Sequence, residues 1–266
     1  MTGMERFSLL ASTVIFFLGF AYTMYALRSR MLRPSRWSLL IMSVGFVLLT
    51  EFLNLRGRAV GRCPLTNLFE VLVFLSWAVV LLYFVVGGTY RLSLLGAFTA
   101  PLVFLLLTVA QLSPSAALPA MSKPSAGFWP ELHAALSLMA YGAFALACVA
   151  GVMYVVQEKL LKKHRLNSFF HSLPPIAELS VALQRVMLAG FVLLTIGLLA
   201  GLMAGSPAFY KATMFVSGFV WAPYGILLWL RWKRPFSQRR FAWLAVGAFV
   251  LALSTLGALN FMHISR

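Results

Sequence analysis

The sequence predicts an all-α polytopic membrane protein of about eight transmembrane helices. Three observations carry that prediction. The 266 residues are 61% hydrophobic and only 11% charged, with mean hydropathy +0.90, whereas a soluble domain carries about 25% charged residues. So few charges cannot cover a water-facing surface. The apolar runs come in pieces of about 20 residues, the length that crosses a bilayer as a helix, and not as the short alternating segments of a β-barrel. The positive charge sits in short loops between those runs, where it sets topology. The net charge of +16 therefore points to a lipid bilayer as solvent and not to nucleic acid.

Taken in order, the spans are expected at about 8–27, 37–54, 69–86, 92–111, 131–156, 186–205, 212–230 and 241–260, with ends placed to roughly 2–4 residues. The run from Ser8 to Leu27 is longer than a signal h-region and precedes its basic cluster, so it reads as a span and not as a cleaved signal. Pro101 and Pro223 fall inside spans four and seven. Each removes a helix hydrogen bond and is expected to kink its helix, which a membrane bundle tolerates when neighbours satisfy the freed carbonyl. The loop 112–130 is rich in Ser, Pro and Ala and ends on Phe128 and Trp129, an interfacial aromatic anchor. The loop 157–185 holds His164, His171 and Pro174-Pro175, a composition that suits a short interfacial helix leading into span six. The chain reads as one integral membrane unit over 1–266, with no soluble domain and no clear internal repeat.

Orientation follows from the cations. Fifteen of the 22 Lys and Arg fall in one set of loops: the stretches around 28–36, 91, 159–185 and 231–240. That side is expected to be cytoplasmic. Both termini then face out, together with Arg6, Arg56, Arg58, Arg62, Lys123, Lys211 and Arg266. The expected location is the bacterial cytoplasmic (inner) membrane, crossed many times.

Little of the usual catalytic inventory is present. The chain has six Glu and no Asp, which excludes an Asp-containing triad and an Asp-rich Mg²⁺ site of the phosphoryl-transfer kind. There is no P-loop pattern, and Cys63 and Cys148 fit no metal spacing. Glu51 and Glu70 lie near the outer ends of spans two and three. An ionisable residue within a span is a functional candidate; the alternative is pairing with Arg56, Arg58 or Arg62. His133 enters the membrane at the outer end of span five and His263 leaves it at the outer end of span eight. Two neutral imidazoles at matched depth can ligate one haem iron from opposite sides. The helix N-terminus favours a neutral His133, while Glu131 opposes that. The alternative is two interfacial histidines bonded to water. The arginines of RGRAVGRCPLTN run against the positive-inside bias. They could hold haem propionates, or neutralise Glu51, Glu70 and lipid headgroups.

Four stretches resemble the cytochrome c assembly family of polytopic haem-handling proteins, in its eight-span branch: CPLTNLFEVLVFLSW (63–77), LHAALSLMAYGAFALACVAGVMYVV (132–156), SLPPIAELSVALQRVMLAGFVLLTIGLLAGL (172–202) and FYKATMFVSGFVWAPYGILLW (209–229). The resemblance implies non-covalent haem b at the outer face and assistance in attaching haem to apocytochrome c. His133 and His263 match the two outer histidines of the haem-handling members, which makes them the implied iron ligands. In the family those histidines flank a tryptophan-rich outer loop with an Asp. Here the matching connection is only GSPAFYKATM (205–214), with neither Trp nor Asp. Trp129, Lys211 and Trp221 are what remain near the expected cofactor, with Arg56, Arg58 and Arg62 for its propionates.

The short connection is similar to the family's HemX-like branch. The expected function is haem binding or delivery at the outer face in cytochrome c biogenesis. A second biogenesis membrane protein would present the apocytochrome, because this chain has no CxxC pair and no large outer domain. Thioether bonds form between haem vinyls and apoprotein thiols, so the chain need not be an enzyme in the ordinary sense. The rival reading is a HemX-like regulatory or scaffolding protein acting through its cytoplasmic loops. A small-molecule transporter fits less well, because the ionisable residues crowd the span ends and not the midplane.

Overall fold

In a computed structural model the described residues are 2–28, 36–65, 67–90, 95–117, 127–162, 175–205, 208–233 and 237–264. Among them there are eight α-helices and no strand: α1 (Gly3–Arg28), α2 (Arg36–Val60), α3 (Leu68–Tyr90), α4 (Leu95–Leu112), α5 (Phe128–Lys162), α6 (Ile176–Met203), α7 (Ala208–Lys233) and α8 (Gln238–Ile264). A 3₁₀ turn, Pro114–Ala117, follows α4. The helices fall on the eight expected spans. Seven are long and apolar enough to cross a membrane; the apolar part of α4, Phe98–Leu112, is shorter. The chain is thus a polytopic helical membrane protein.

The surface and the interior are inverted relative to a soluble bundle. Val14, Phe17, Val47, Leu199, Phe215 and Trp232 point outward, as a lipid-facing surface allows. Glu5, Arg56, Glu70, His133, Ser137 and Gln157 are buried. Burying such groups is costly unless other groups of the protein satisfy them, and Glu5 Oε1, Arg56 Nη1 and Ser137 Oγ make no hydrogen bond among the described residues.

α1 packs on α2 and α4, and α3 on the same two. In the same way α5 packs on α6 and α8, and α7 on those two. The two sets of four meet mainly along α3 and α5. α5 is the central element, running well beyond the expected 131–156. Its C-terminal turns end in an i,i+4 pair, Glu158–Lys162 at 2.7 Å, with Arg239 of α8 3.7 Å from the same carboxylate. Pro101 and Pro223 do lie inside α4 and α7. Pro175 caps α6, with Leu179 N–H donating to its carbonyl at 3.1 Å. The expected interfacial helix before α6, with His164 and His171, falls outside the described residues.

Candidate functional site

The starts of α1, α3 and α5 and the end of α2 gather at one end of the bundle, and local capping explains where their polar residues stand. Thr2 and Glu5 form a reciprocal capping box at the start of α1: Thr2 N–H donates to Glu5 Oε2 at 2.8 Å, and Glu5 N–H to Thr2 Oγ1 at 3.3 Å. Asn67 caps α3, its Oδ1 accepting from Glu70 N–H at 2.9 Å. α2 closes on Gly61, whose φ of 74° suits a residue without Cβ and whose N–H donates to Gly57 O at 2.8 Å.

Between these ends lies Arg56. Its Nε donates to Glu70 Oε1 at 2.9 Å, and its Nη1 stands 4.0 Å from Glu5 Oε2. All three side chains are 1% exposed. Acids in the first turns of α1 and α3 and a cation in the last turns of α2 also each match their helix dipole. Of the two expectations for Arg56, holding a propionate or pairing with Glu70, the geometry shows the pairing, with Nε bonded to Glu70 and Nη1 making no hydrogen bond among the described residues. Glu51 is exposed and lies outside the cluster. Arg58 is exposed and donates to Asn54 Oδ1 at 3.1 Å, while Arg62 is half-buried.

His133 is the other buried group at this end, 4% exposed on the face of α5 that meets α6. Its Nδ1 lies 2.7 Å from the carbonyl oxygen of Gly197. A carbonyl can only accept, so Nδ1 carries the hydrogen, and in the neutral ring Nε2 is the lone-pair nitrogen. Metal-bound histidines are held in this way, one ring nitrogen donating to a carbonyl while the other ligates.

The approach depends on two glycines. A Cβ at Gly197 would stand 3.1 Å from Ser137 Oγ. A Cβ at Gly201 would stand 2.9 Å from His133 Nδ1 and collide with Met214 Sδ. Gly197 and Gly201 form a small-xxx-small pair of the type that lets membrane helices pack closely. That spacing was a readable signal which histidine-centred reasoning passes over. Met214, on α7, has no comparable sequence signal.

His263 lies on α8, and its side chain is outside the described residues. The register of α8 on α5 is fixed nearer the middle of the two helices. α5 and α8 run antiparallel, with a Cβ at Gly151 meeting Ala242 O and Tyr141 OH 3.1 Å from Thr255 Oγ1. Carried eight residues toward the start of α5 and the end of α8, that register would set position 263 level with position 133. The side chain of Lys211 is likewise outside the described residues. Trp129 is partly exposed, edge-on to Phe128. Trp221 lies deeper and on the outer flank: its ring stacks on Phe191 and its Nε1 donates to Thr195 Oγ1 at 2.9 Å. It therefore serves α6–α7 packing and stands apart from His133.

Eight apolar helices around a buried, backbone-oriented histidine define a multi-pass membrane protein with one candidate ligand nitrogen near one face. The sequence profile of the cytochrome C assembly protein family matches residues 65–263, and the chain belongs to that family. Among its relatives, Protein HemX of Brevibacillus brevis is 26% identical over 198 residues, 73% of each chain. Protein HemX of Bacillus subtilis (strain 168) is 26% identical over 168 residues, 60% of this chain and 59% of its own length. Cytochrome c biogenesis protein CcsA of Guillardia theta is 25% identical over 249 residues, 81% of this chain and 79% of its own. Family membership supports a role in cytochrome c biogenesis.

Proposed function

We propose that the chain binds haem at the outer face of a bacterial cytoplasmic membrane and delivers it, with a partner membrane protein that presents apocytochrome c. One observation carries the reading: His133 donates Nδ1–H to Gly197 O at 2.7 Å, which leaves Nε2 as the nitrogen able to ligate. His263, level with it in register, is the second proposed ligand. Arg58 and Arg62 are the arginines proposed for propionates, and Trp129 the ring proposed beside them. Haem, when bound, supplies the vinyl groups that the apocytochrome thiols attack. This chain's residues hold the iron and orient the group. The Bacillus and Brevibacillus relatives fit a bacterial membrane, and the cation asymmetry supports outward termini.

The test is optical. The full chain is expressed with haem available, purified in detergent and its spectrum recorded. A low-spin spectrum is expected. His133→Ala and His263→Ala should each lower haem content or turn the iron high-spin, with partial restoration by added imidazole. His164→Ala and His171→Ala should change nothing. A folded, haem-free protein under haem-replete conditions, or a spectrum indifferent to both outer histidines, would sink the proposal. The short α6–α7 connection and the HemX relatives favour, as second reading, a regulatory or scaffolding role through the 157–185 loop.

A further inference from the structure

α2 and α6 share an identical hexapeptide, GFVLLT, at 45–50 and 190–195, and each copy makes the same contacts. A Cβ at Gly45 would strike the ring of Phe16 on α1; one at Gly190 would strike the ring of Phe144 on α5. Phe46 stacks on Trp77 of α3, and Thr50 accepts its indole N–H at 2.9 Å. Phe191 stacks on Trp221 of α7, and Thr195 accepts its indole N–H at 2.9 Å. Gln111 of α4 bonds Thr13 of α1 at 2.8 Å; Thr255 of α8 bonds Tyr141 of α5 at 3.1 Å. The order of packing, first helix on second and fourth, third on second and fourth, is also the same.

These pairs fix a register. Thr13 to Tyr141 and Phe16 to Phe144 are each 128 positions apart. Gly45 to Gly190 is 145, Trp77 to Trp221 is 144, and Gln111 to Thr255 is 144. The same offsets carry Glu5 to His133, Arg56 to Gly201 and Glu70 to Met214. None of these three was used to set the register, yet they are the buried ion cluster of one half and the three residues that converge in the other.

We infer that the chain is a tandem of two copies of one four-helix unit, α1–α4 and α5–α8, and that Glu5–Arg56–Glu70 is the first copy's version of the His133 site, closed by its own guanidinium. This corrects the expectation that the sequence holds no repeat. In the first copy a side chain from the second helix fills the space between the other two. In the second copy that side chain is gone at Gly201, and an imidazole and a thioether pack against the glycine so closely that a Cβ there would meet both. The second copy is thus the uncharged one, and His133 keeps a ring nitrogen, Nε2, that has no counterpart in the first copy. Met214 and Gly201 belong to that site. That this nitrogen takes haem rests on the proposed function, whereas the equivalence of the two sites does not.

The test exchanges the two sites in the full chain and reads thermal unfolding in detergent. Arg56→Gly alone strands two buried carboxylates and should lower the midpoint by about 10 °C. The triple Glu5→His, Arg56→Gly, Glu70→Met should recover most of that loss, and more than the neutral triple Glu5→Gln, Arg56→Gly, Glu70→Gln. Reciprocally, Gly201→Arg alone should destabilise, and adding His133→Glu with Met214→Glu should rescue it, beyond what His133→Gln with Met214→Gln achieves. Transplants no better than their Gln controls in both directions overturn the inference. No haem is needed for this readout, so its failure leaves the haem proposal standing, and a haem-free wild type leaves the exchange result decisive.

Discussion

The ends of α1 and α5 face the same problem, polar side chains buried at one depth of a lipid-facing bundle, and solve it in opposite ways. At the end of α1 the buried polar groups are charged and face one another: Arg56 lies between Glu70 and Glu5, all 1% exposed, while its Nη1 and Glu5 Oε1 make no hydrogen bond among the described residues. At the end of α5 His133 has no charge partner among the described residues; it gives one hydrogen bond to a backbone carbonyl, which leaves its second nitrogen as the lone-pair nitrogen. Charges that face one another serve the fold, and an uncharged ring with a lone pair to spare can serve a ligand. The sharpest way to break this contrast is Arg56→Met. Removing one partner of a buried ion cluster leaves uncompensated charge and costs about 3–5 kcal/mol. The expected result is a large loss of thermal stability in detergent. A midpoint within error of wild type would mean that the cluster is wet and open, and that the two ends do not differ as argued.

The second lever acts on the α5 end. Gly201→Ala places a Cβ against Met214 Sδ and 2.9 Å from His133 Nδ1. Met214 can swing aside; the imidazole is held by its carbonyl. Overpacking of this kind costs about 1–3 kcal/mol and should weaken the Gly197 bond. Gly218→Ala on α7, where an added Cβ meets nothing, should be neutral or slightly stabilising. Equal effects at the two positions would remove Gly201 from the His133 site.

The fold was legible because lipid as solvent imposes one simple pattern, and all eight helices lie on the expected apolar runs. Helix ends were less so. α5 extends past Val156 because Glu158 pairs with Lys162 and Arg239, and an amphiphilic extension leaves no hydropathy signal. At the site, His133 was legible as a histidine at a span end. Its partner Gly197 was not, because the bonding group is a backbone carbonyl. For Arg56 the pairing with Glu70, 14 positions away, was one of two open readings, whereas Glu5, 51 positions away, left no signal. The repeat escaped because outside GFVLLT the copies conserve contacts more than letters: Gln111–Thr13 in one half stands for Thr255–Tyr141 in the other.

Two indole clasps offer a finer test of the likeness between the halves. Thr50→Val and Thr195→Val each remove the acceptor of a tryptophan N–H at 2.9 Å while keeping the shape. Each should cost about 0.5–1.5 kcal/mol, and the two losses should be similar, because ring stacking on Phe46 or Phe191 remains. A loss in one half only would show that the clasps are not equivalent and would weaken the shared scaffold from which the contrast between α1 and α5 is drawn.

The smallest effect expected is at Cys63, in the α2–α3 loop. Burial pushes its thiol pKa above the usual range, and the carboxylates of Glu131 and Glu70 push it further. The thiolate is the reactive form, so alkylation of Cys63 by a maleimide, in a Cys148→Ser background, should be slow at neutral pH and accelerate well into the alkaline range. Glu131→Gln removes the larger of the two carboxylate effects and should move the rate–pH profile modestly to lower pH. The plateau rate at high pH should stay the same, since access is unchanged. The sign for stability follows from the same shift. A thiol whose folded pKa exceeds its unfolded value contributes stability that is fully present below the unfolded pKa and lost as pH rises through the folded one. Alkaline pH should therefore loosen this loop in the wild type slightly more than in Glu131→Gln. A profile that does not move on Glu131→Gln would place the start of α5 too far from the α2–α3 loop for the two ends to share one face.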